Sequence, residues 1–174
     1  MEKKEKDVEK VFDDLQKYFM REALKTFSQK VVSLAYEPRN VGSLKNPDGH
    51  GRVAGQCGDT MEIYIKMKGK IIDPIGFLTD GCGATLACGS ATTELAKGKT
   101  PYEAGKITPQ AVIKYLDGLP ASHLHCAVLA VQTLRKALEN LDKSGISKNK
   151  SHKLNKEDKP CQEETEQDPQ EWVR

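Results

Sequence analysis

With 174 residues, the chain is long enough for one domain with a sizeable core and too short for two full ones. Its 27 Lys and Arg against 25 Asp and Glu leave a nearly balanced charge, which gives no basis for a general nucleic-acid surface. No apolar run approaches the roughly 18 residues of a membrane-spanning helix, and the charged start Met-Glu-Lys-Lys-Glu-Lys is not followed by the apolar stretch of a secretory signal.

A cytoplasmic chain is therefore expected. In that compartment an odd count of 5 cysteines reads as metal ligands or reactive thiols rather than as a disulfide framework.

Residues 8–36 place Val8, Val11, Leu15 and Tyr18, and then Phe27, Val31 and Leu34, at helical spacing. One long helix or two shorter ones are predicted, ending before Pro38, because a residue that precedes proline is biased away from helix. Residues 39–56 are rich in Gly, Asn and Pro and read as loop, with a short edge strand at most. From Thr60 the period changes to two: Met61, Ile63, Ile65 and Met67 share one face, and Glu62, Tyr64 and Lys66 the other. Lys68-Gly69-Lys70 reads as a tight turn into a second strand over 71–79, which makes a hairpin.

A run of small residues over 84–96 predicts a helix able to lie close to its neighbours, ended by Gly98. Short helical pieces punctuated by Pro101, Pro109 and Gly118 follow. Leu124, Val128, Val131, Leu134, Leu138 and Leu141 then recur at three- and four-residue intervals and predict a closing amphipathic helix. Beyond Lys143 the large apolar residues are only Ile146, Leu154, Trp172 and Val173, too few to offset the entropy of ordering, so disorder is expected there.

The chemistry concentrates at three cysteines. Cys57 lies in Gly55-Gln56-Cys57-Gly58-Asp59, Cys82 in Asp80-Gly81-Cys82-Gly83, and Cys126 in Leu124-His125-Cys126. Three thiolates with a carboxylate and an imidazole nearby describe a soft metal site with a mixed fourth position. Cys82 and Cys126 fall at predicted helix starts, where free N–H groups favour thiolate. Gly58, Gly81 and Gly83 remove β-carbons that would keep backbone from a bulky inorganic group.

Each residue also has a plainer reading. Any of these cysteines taken alone could be a small buried hydrophobe, which is the reading adopted for Cys88, on another face of its helix. Cys161, in the tail, reads as an unconstrained thiol. Asp59 could cap a turn, and His125 could simply sit near a helix start. His50, His123 and His152 show no partner pattern and are expected to face solvent. Ligand type and spacing leave iron–sulfur and zinc chemistry both open.

The segments Glu37-Pro38-Arg39-Asn40-Val41-Gly42, Cys57-Gly58-Asp59, Gly81-Cys82-Gly83-Ala84 and Leu124-His125-Cys126, in this order, resemble the IscU/NifU-type iron–sulfur cluster assembly scaffold family. The likeness runs from about Phe27 to Leu141. It implies an α+β fold, a small antiparallel β-sheet packed against helices with the ligand cysteines gathered at one end. It also implies a helical N-terminal extension over 1–26, a scaffold domain over 27–142 and a charged tail over 143–174.

By the same resemblance Cys57, Cys82 and Cys126 would hold a transient [2Fe–2S] cluster, with Asp59 or His125 completing the coordination and zinc a possible occupant of the cluster-free form. The implied partners are a cysteine desulfurase delivering persulfide sulfur, with Cys126 as acceptor, together with iron and electron donors and acceptor apoproteins. A scaffold of this kind is not an enzyme.

Departures from the family pattern matter too. Leu119-Pro120-Ala121-Ser122-His123 stands where the bacterial type carries Leu-Pro-Pro-Val-Lys, so a dedicated Hsp70 chaperone is not counted among the expected partners. Asp80 stands where Phe is common, no SufU-type insertion separates Cys82 from Cys126, and 143–174 shows none of the cysteine-rich modules of full-length NifU. The rival readings are a zinc protein, regulatory or hydrolytic, and a metal-free sulfur carrier using Cys126 alone. No HExxH or Pro-Cys-x-x-Cys motif supports a hydrolase.

Overall fold

The computed structural model describes residues 2–143, with side chains from residue 11 to residue 141. The tail, with His152 and Cys161, lies outside the described residues.

The N-terminal periodicity resolves into two helices, α1 (Glu2–Ala23) and α2 (Gln29–Tyr36). Ser28 separates them, because its extended backbone and its hydroxyl, which accepts from Val31 N at 3.2 Å, start a new helix. The same hydroxyl donates to the Leu116 carbonyl and so ties α2 to the rest of the domain. Val31, Val32 and Leu34 of α2 enter the core. None of the described side chains of α1 does, and Val11, Phe12, Leu15, Tyr18 and Phe19 stay exposed along it.

Three antiparallel strands follow, β1 (Gly49–Ala54), β2 (Thr60–Lys68) and β3 (Ile71–Thr79), in the order β1-β2-β3. In β2, Met61, Ile63 and Ile65 are fully buried, as the alternation predicts. The register shifts between Ile65 and Met67, opposite the cis Asp73-Pro74 peptide, which places a residue with no N–H at an irregularity of the ladder. The outer side of β3 is bonded by two loops. Gly42 N donates to Phe77 O at 2.8 Å and Phe77 N to Asn40 O at 3.0 Å, while Gly98 N donates to Ile72 O and Ile72 N to Lys99 O, each at 2.8 Å.

Behind the sheet lie α3 (Gly83–Ala96), α4 (Pro101–Gly105), α5 (Pro109–Tyr115) and, after a 3-10 turn at Ala121–His123, α6 (Leu124–Lys143). Small residues let α3 sit deep: Ala84, Ala87, Cys88 and Ala91 are at most 4% exposed. The loop before β1 is stitched to this helix by Arg39 N donating to Ser90 Oγ at 3.1 Å and by Asn40 Nδ2 donating to Glu94 Oε1 at 2.8 Å.

In α6, Ala127, Ala130, Val131, Leu134, Ala137 and Leu141 face inward, whereas Val128, part of the predicted stripe, is 40% exposed. β1 packs on α6 backbone to backbone. A Cβ built on Gly51 would stand 2.4 Å from Ala137 N and 2.6 Å from Thr133 O, so glycine is the residue that permits this seam. The architecture is α+β, a small antiparallel sheet covered by helices, as expected.

One buried polar atom has no partner among the described residues, the Thr92 hydroxyl on α3. Thr92→Val keeps the side-chain shape and deletes that group. It should raise stability by about 0.5–1 kcal/mol, read from the urea midpoint at unchanged slope; a loss of stability would mean that the hydroxyl is satisfied in solution.

Candidate metal centre

Three chain segments meet at one end of the sheet. The β1–β2 turn carries Cys57 and Asp59, the β3–α3 junction carries Cys82, and the first turn of α6 carries His125 and Cys126. Two bonds close the first pair of segments together: Asp80 N donates to Thr60 O at 3.3 Å, and Thr60 N donates to Asp80 Oδ1 at 2.6 Å. Asp80 therefore supplies the carboxylate that fastens the turn. Asp59 does something else.

Its Oδ2 accepts from the Thr85 hydroxyl at 2.9 Å. The same hydroxyl lies 3.4 Å from Cys126 Sγ and 3.6 Å from Cys82 Sγ, and Cys126 Sγ is 3.5 Å from His125 Nε2. One fully buried oxygen thus touches a carboxylate and two thiols. Thr85 has a single proton, for which the carboxylate and the two sulfurs compete: Asp59 takes it while the thiols are protonated, and a thiolate can draw it instead.

The turn-cap reading of Asp59 is not what the side chain does. Sequence reasoning missed Thr85 altogether. Its one signal was its position three residues after Cys82 at a helix start, where an N-cap residue and N3 face each other.

The two cysteines differ electrostatically. Partial burial of Cys82 works against its thiolate, but bonds from the Thr85 hydroxyl and from the N–H groups of Thr85 and Ala84 outweigh it and hold the thiol below its ordinary range. This is the helix-start effect expected there, with Cys82 as the N-cap of α3. At Cys126 the expectation fails: burial pushes the thiol up to about 11, with neighbouring Cys82 and Cys57 adding to the rise against the Thr85 bond.

Cys126 is also only 1% exposed, contrary to the access expected of a persulfide acceptor. The reason is its place within α6, beyond the 3-10 turn at Ala121–His123 and in contact with both Thr85 and His125. Cys57, on its turn, and Cys82, at the start of α3, are in contrast both exposed. Cys88 is wholly buried in the apolar core, and burial drives its thiol far upward, which agrees with the structural role read for it.

The full gathering of three cysteines is not reached in this conformation. Among the described residues, no group of three His, Cys, Asp or Glu side chains stands ready to hold an ion. What is brought together is Asp59, Cys82 and Cys126 around Thr85, with His125 against Cys126. This donor set of thiols with a carboxylate and an imidazole fits the iron of an iron–sulfur cluster.

Of the three glycines marked in the sequence, Gly81 is the one whose missing side chain matters most for space, a Cβ on Gly83 meeting only Ala35 Cβ at 3.3 Å. A Cβ there would stand 2.5 Å from Asp59 Oδ2 and 2.7 Å from Thr85 Cβ, whereas one on Gly58 would meet nothing within 4 Å.

Of the histidines expected to face solvent without partners, the two among the described residues, His50 and His123, are only partly exposed and both have partners. His50 lies 3.0 Å from Glu62 Oε2 and stacks on Tyr64. His123 meets the Phe27 ring edge-on at 5.0 Å and stacks beside His125 at 6.4 Å. No described helix is long and apolar enough to cross a membrane.

The chain is 49% identical over 113 residues to the iron-sulfur cluster assembly scaffold protein IscU 1 of Archaeoglobus fulgidus, a match covering 64% of this chain and 74% of that one. It is 38% identical over 126 residues to the iron-sulfur cluster assembly scaffold protein IscU of Buchnera aphidicola, covering 70% of this chain and 98% of the other. The crystal structure of a nitrogen-fixing NifU-like protein (N-terminal) from Brucella abortus superposes with a TM-score of 0.52 at 16% identity, over 67% of this chain and 94% of that one, and shares its fold. The model of the NifU-like N terminal domain matches residues 26–147, and the chain belongs to that family.

Proposed function

We propose that this chain is a non-enzymatic scaffold on which iron and sulfide are assembled into a [2Fe–2S] cluster that is then passed to acceptor apoproteins. The observation that carries this reading is the meeting of Asp59, Cys82 and Cys126 on one buried hydroxyl, with the exposed Cys57 on the same turn as Asp59. The names of the relatives and the family membership support it.

In this reading, residues 27–142 carry the chemistry, with Cys57, Cys82 and Cys126 as the thiolate ligands and Asp59 or His125 in the fourth position. A hard oxygen beside soft thiolate-bound iron suits a cluster that must leave again.

Sulfur arrives as persulfide from a cysteine desulfurase, and each sulfane sulfur takes up two electrons from a reductant to become sulfide. The exposed Cys57 can accept persulfide as it stands. Cys126 accepts it once the contacts with Thr85 and His125 open.

Anaerobic purification followed by visible absorption and metal analysis tests the proposal. A red-brown protein with iron and acid-labile sulfide in equal amounts is expected. A colourless zinc protein, or a metal-free one that carries only sulfane sulfur, would overturn it.

A further inference from the structure

Thr85 is absent from the proposed ligand set, yet three of the four close contacts described at the site share it, the fourth joining Cys126 to His125. Its hydroxyl bonds one carboxylate oxygen, Oδ2 of Asp59, and sits between Cys82 Sγ and Cys126 Sγ. The path is kept clear by Gly81, since any Cβ there would stand 2.5 Å from that same oxygen. Asp59 is otherwise at the end of a turn whose fastening carboxylate is Asp80, so nothing else described aims its side chain inward.

A ligating carboxylate that is hydrogen-bonded through one oxygen keeps the other free for metal, in a fixed direction, and partners of this kind are worth about 10–100-fold in metal affinity.

We infer that Thr85 is a positioning residue that holds the Asp59 carboxylate beside Cys82 and Cys126 and so assigns the fourth ligand position to Asp59 rather than His125. This rests on the ligand reading proposed above.

Cobalt(II) is the probe, because thiolate-bound cobalt absorbs in the near ultraviolet and its visible bands report ligand type and geometry. Anaerobic cobalt titrations of the full chain would compare wild type with Thr85→Val, Thr85→Ala and Thr85→Ser, and wild type with Asp59→Ala alone and combined with Thr85→Val.

Thr85→Val and Thr85→Ala should each bind cobalt about tenfold more weakly with shifted visible bands, and Thr85→Ser, which keeps the hydroxyl, should restore both affinity and spectrum. In the Asp59→Ala background, Thr85→Val should add no further loss. Wild-type affinity and spectrum in Thr85→Val would overturn the inference while leaving the ligand reading intact. The same tenfold loss with Asp59 already removed would also overturn it, since Thr85 would then act through another group. A wild-type chain that takes up no cobalt would overturn the ligand reading and this inference with it.

Discussion

Replacing Cys57, Cys82 or Cys126 with serine abolishes stable cluster loading, while Cys88→Ala leaves it intact. Each serine exchanges a soft thiolate for a hard hydroxyl that stays protonated at neutral pH, and iron in a sulfide cluster retains such a ligand poorly. The loss should be complete rather than partial, because a cluster with at most one further ligand from Asp59 or His125 would rest on two thiolates.

Cys88 is the control that separates ligation from a general need for cysteine: its thiol is buried in the apolar core on α3. Alanine is the better test there, since a serine would bury a hydroxyl among apolar side chains. Iron, acid-labile sulfide and visible absorbance after reconstitution and desalting provide the readout. Full loading in any of the first three variants would remove that residue from the site.

Gly51→Ala should cost about 3 kcal/mol or more and weaken cluster loading, although the residue is on β1 and outside the ligand set. The added methyl would stand 2.4 Å from Ala137 N, 2.6 Å from Thr133 O and 2.9 Å from Lys136 C, all backbone atoms of α6. A backbone cannot rotate aside as a side chain does, so strand and helix must part, and overpacking of this kind typically costs 1–3 kcal/mol, sometimes more. Because α6 also carries His125 and Cys126, its displacement reaches the site.

Gly105→Ala is the matched control, as its Cβ would meet only Leu138 Cδ1 at an ordinary 3.9 Å. Urea unfolding of both variants, alongside reconstitution, checks the contrast. Wild-type stability in Gly51→Ala would show that the seam has slack.

What could be read in advance divides along physical lines. The β2 alternation, the hairpin at Gly69 and the α6 stripe announce themselves because each element repeats one local rule. β1 was legible only as a short edge strand within a loop-like stretch, because it obeys a rule set by its neighbour. Gly-His-Gly-Arg-Val-Ala looks like loop, since glycine weakens a strand, yet Gly49 and Gly51 alternate because both face the α6 backbone.

The same holds at the site. Cys57, Cys82 and Cys126 stand out by their glycine and charged neighbours, whereas Thr85 sits in a run of small residues where a threonine suggests only packing. Its role exists only once residues 26 positions before it and 41 after it arrive at its hydroxyl. His50 escaped notice for the like reason that its partner Glu62 lies across the sheet on a neighbouring strand. Asp59, read from the sequence as a candidate ligand or else a turn cap, points into the site, whereas Asp80, for which the sequence suggested no role, fastens the turn.

The two loops bonded along the outer side of β3 have a consequence for how the molecule behaves in a crowd. A three-stranded sheet is small, and an outermost strand with open donors and acceptors is a template on which another chain can add itself. Here the N–H and C=O groups of both Ile72 and Phe77 are already spoken for, by Lys99, Gly98, Asn40 and Gly42 of the same chain. An extended segment approaching from that side finds no continuous ladder to join. A protein whose work requires repeated docking with other proteins is thereby protected, on that flank, from the strand-to-strand sticking that would take it out of circulation.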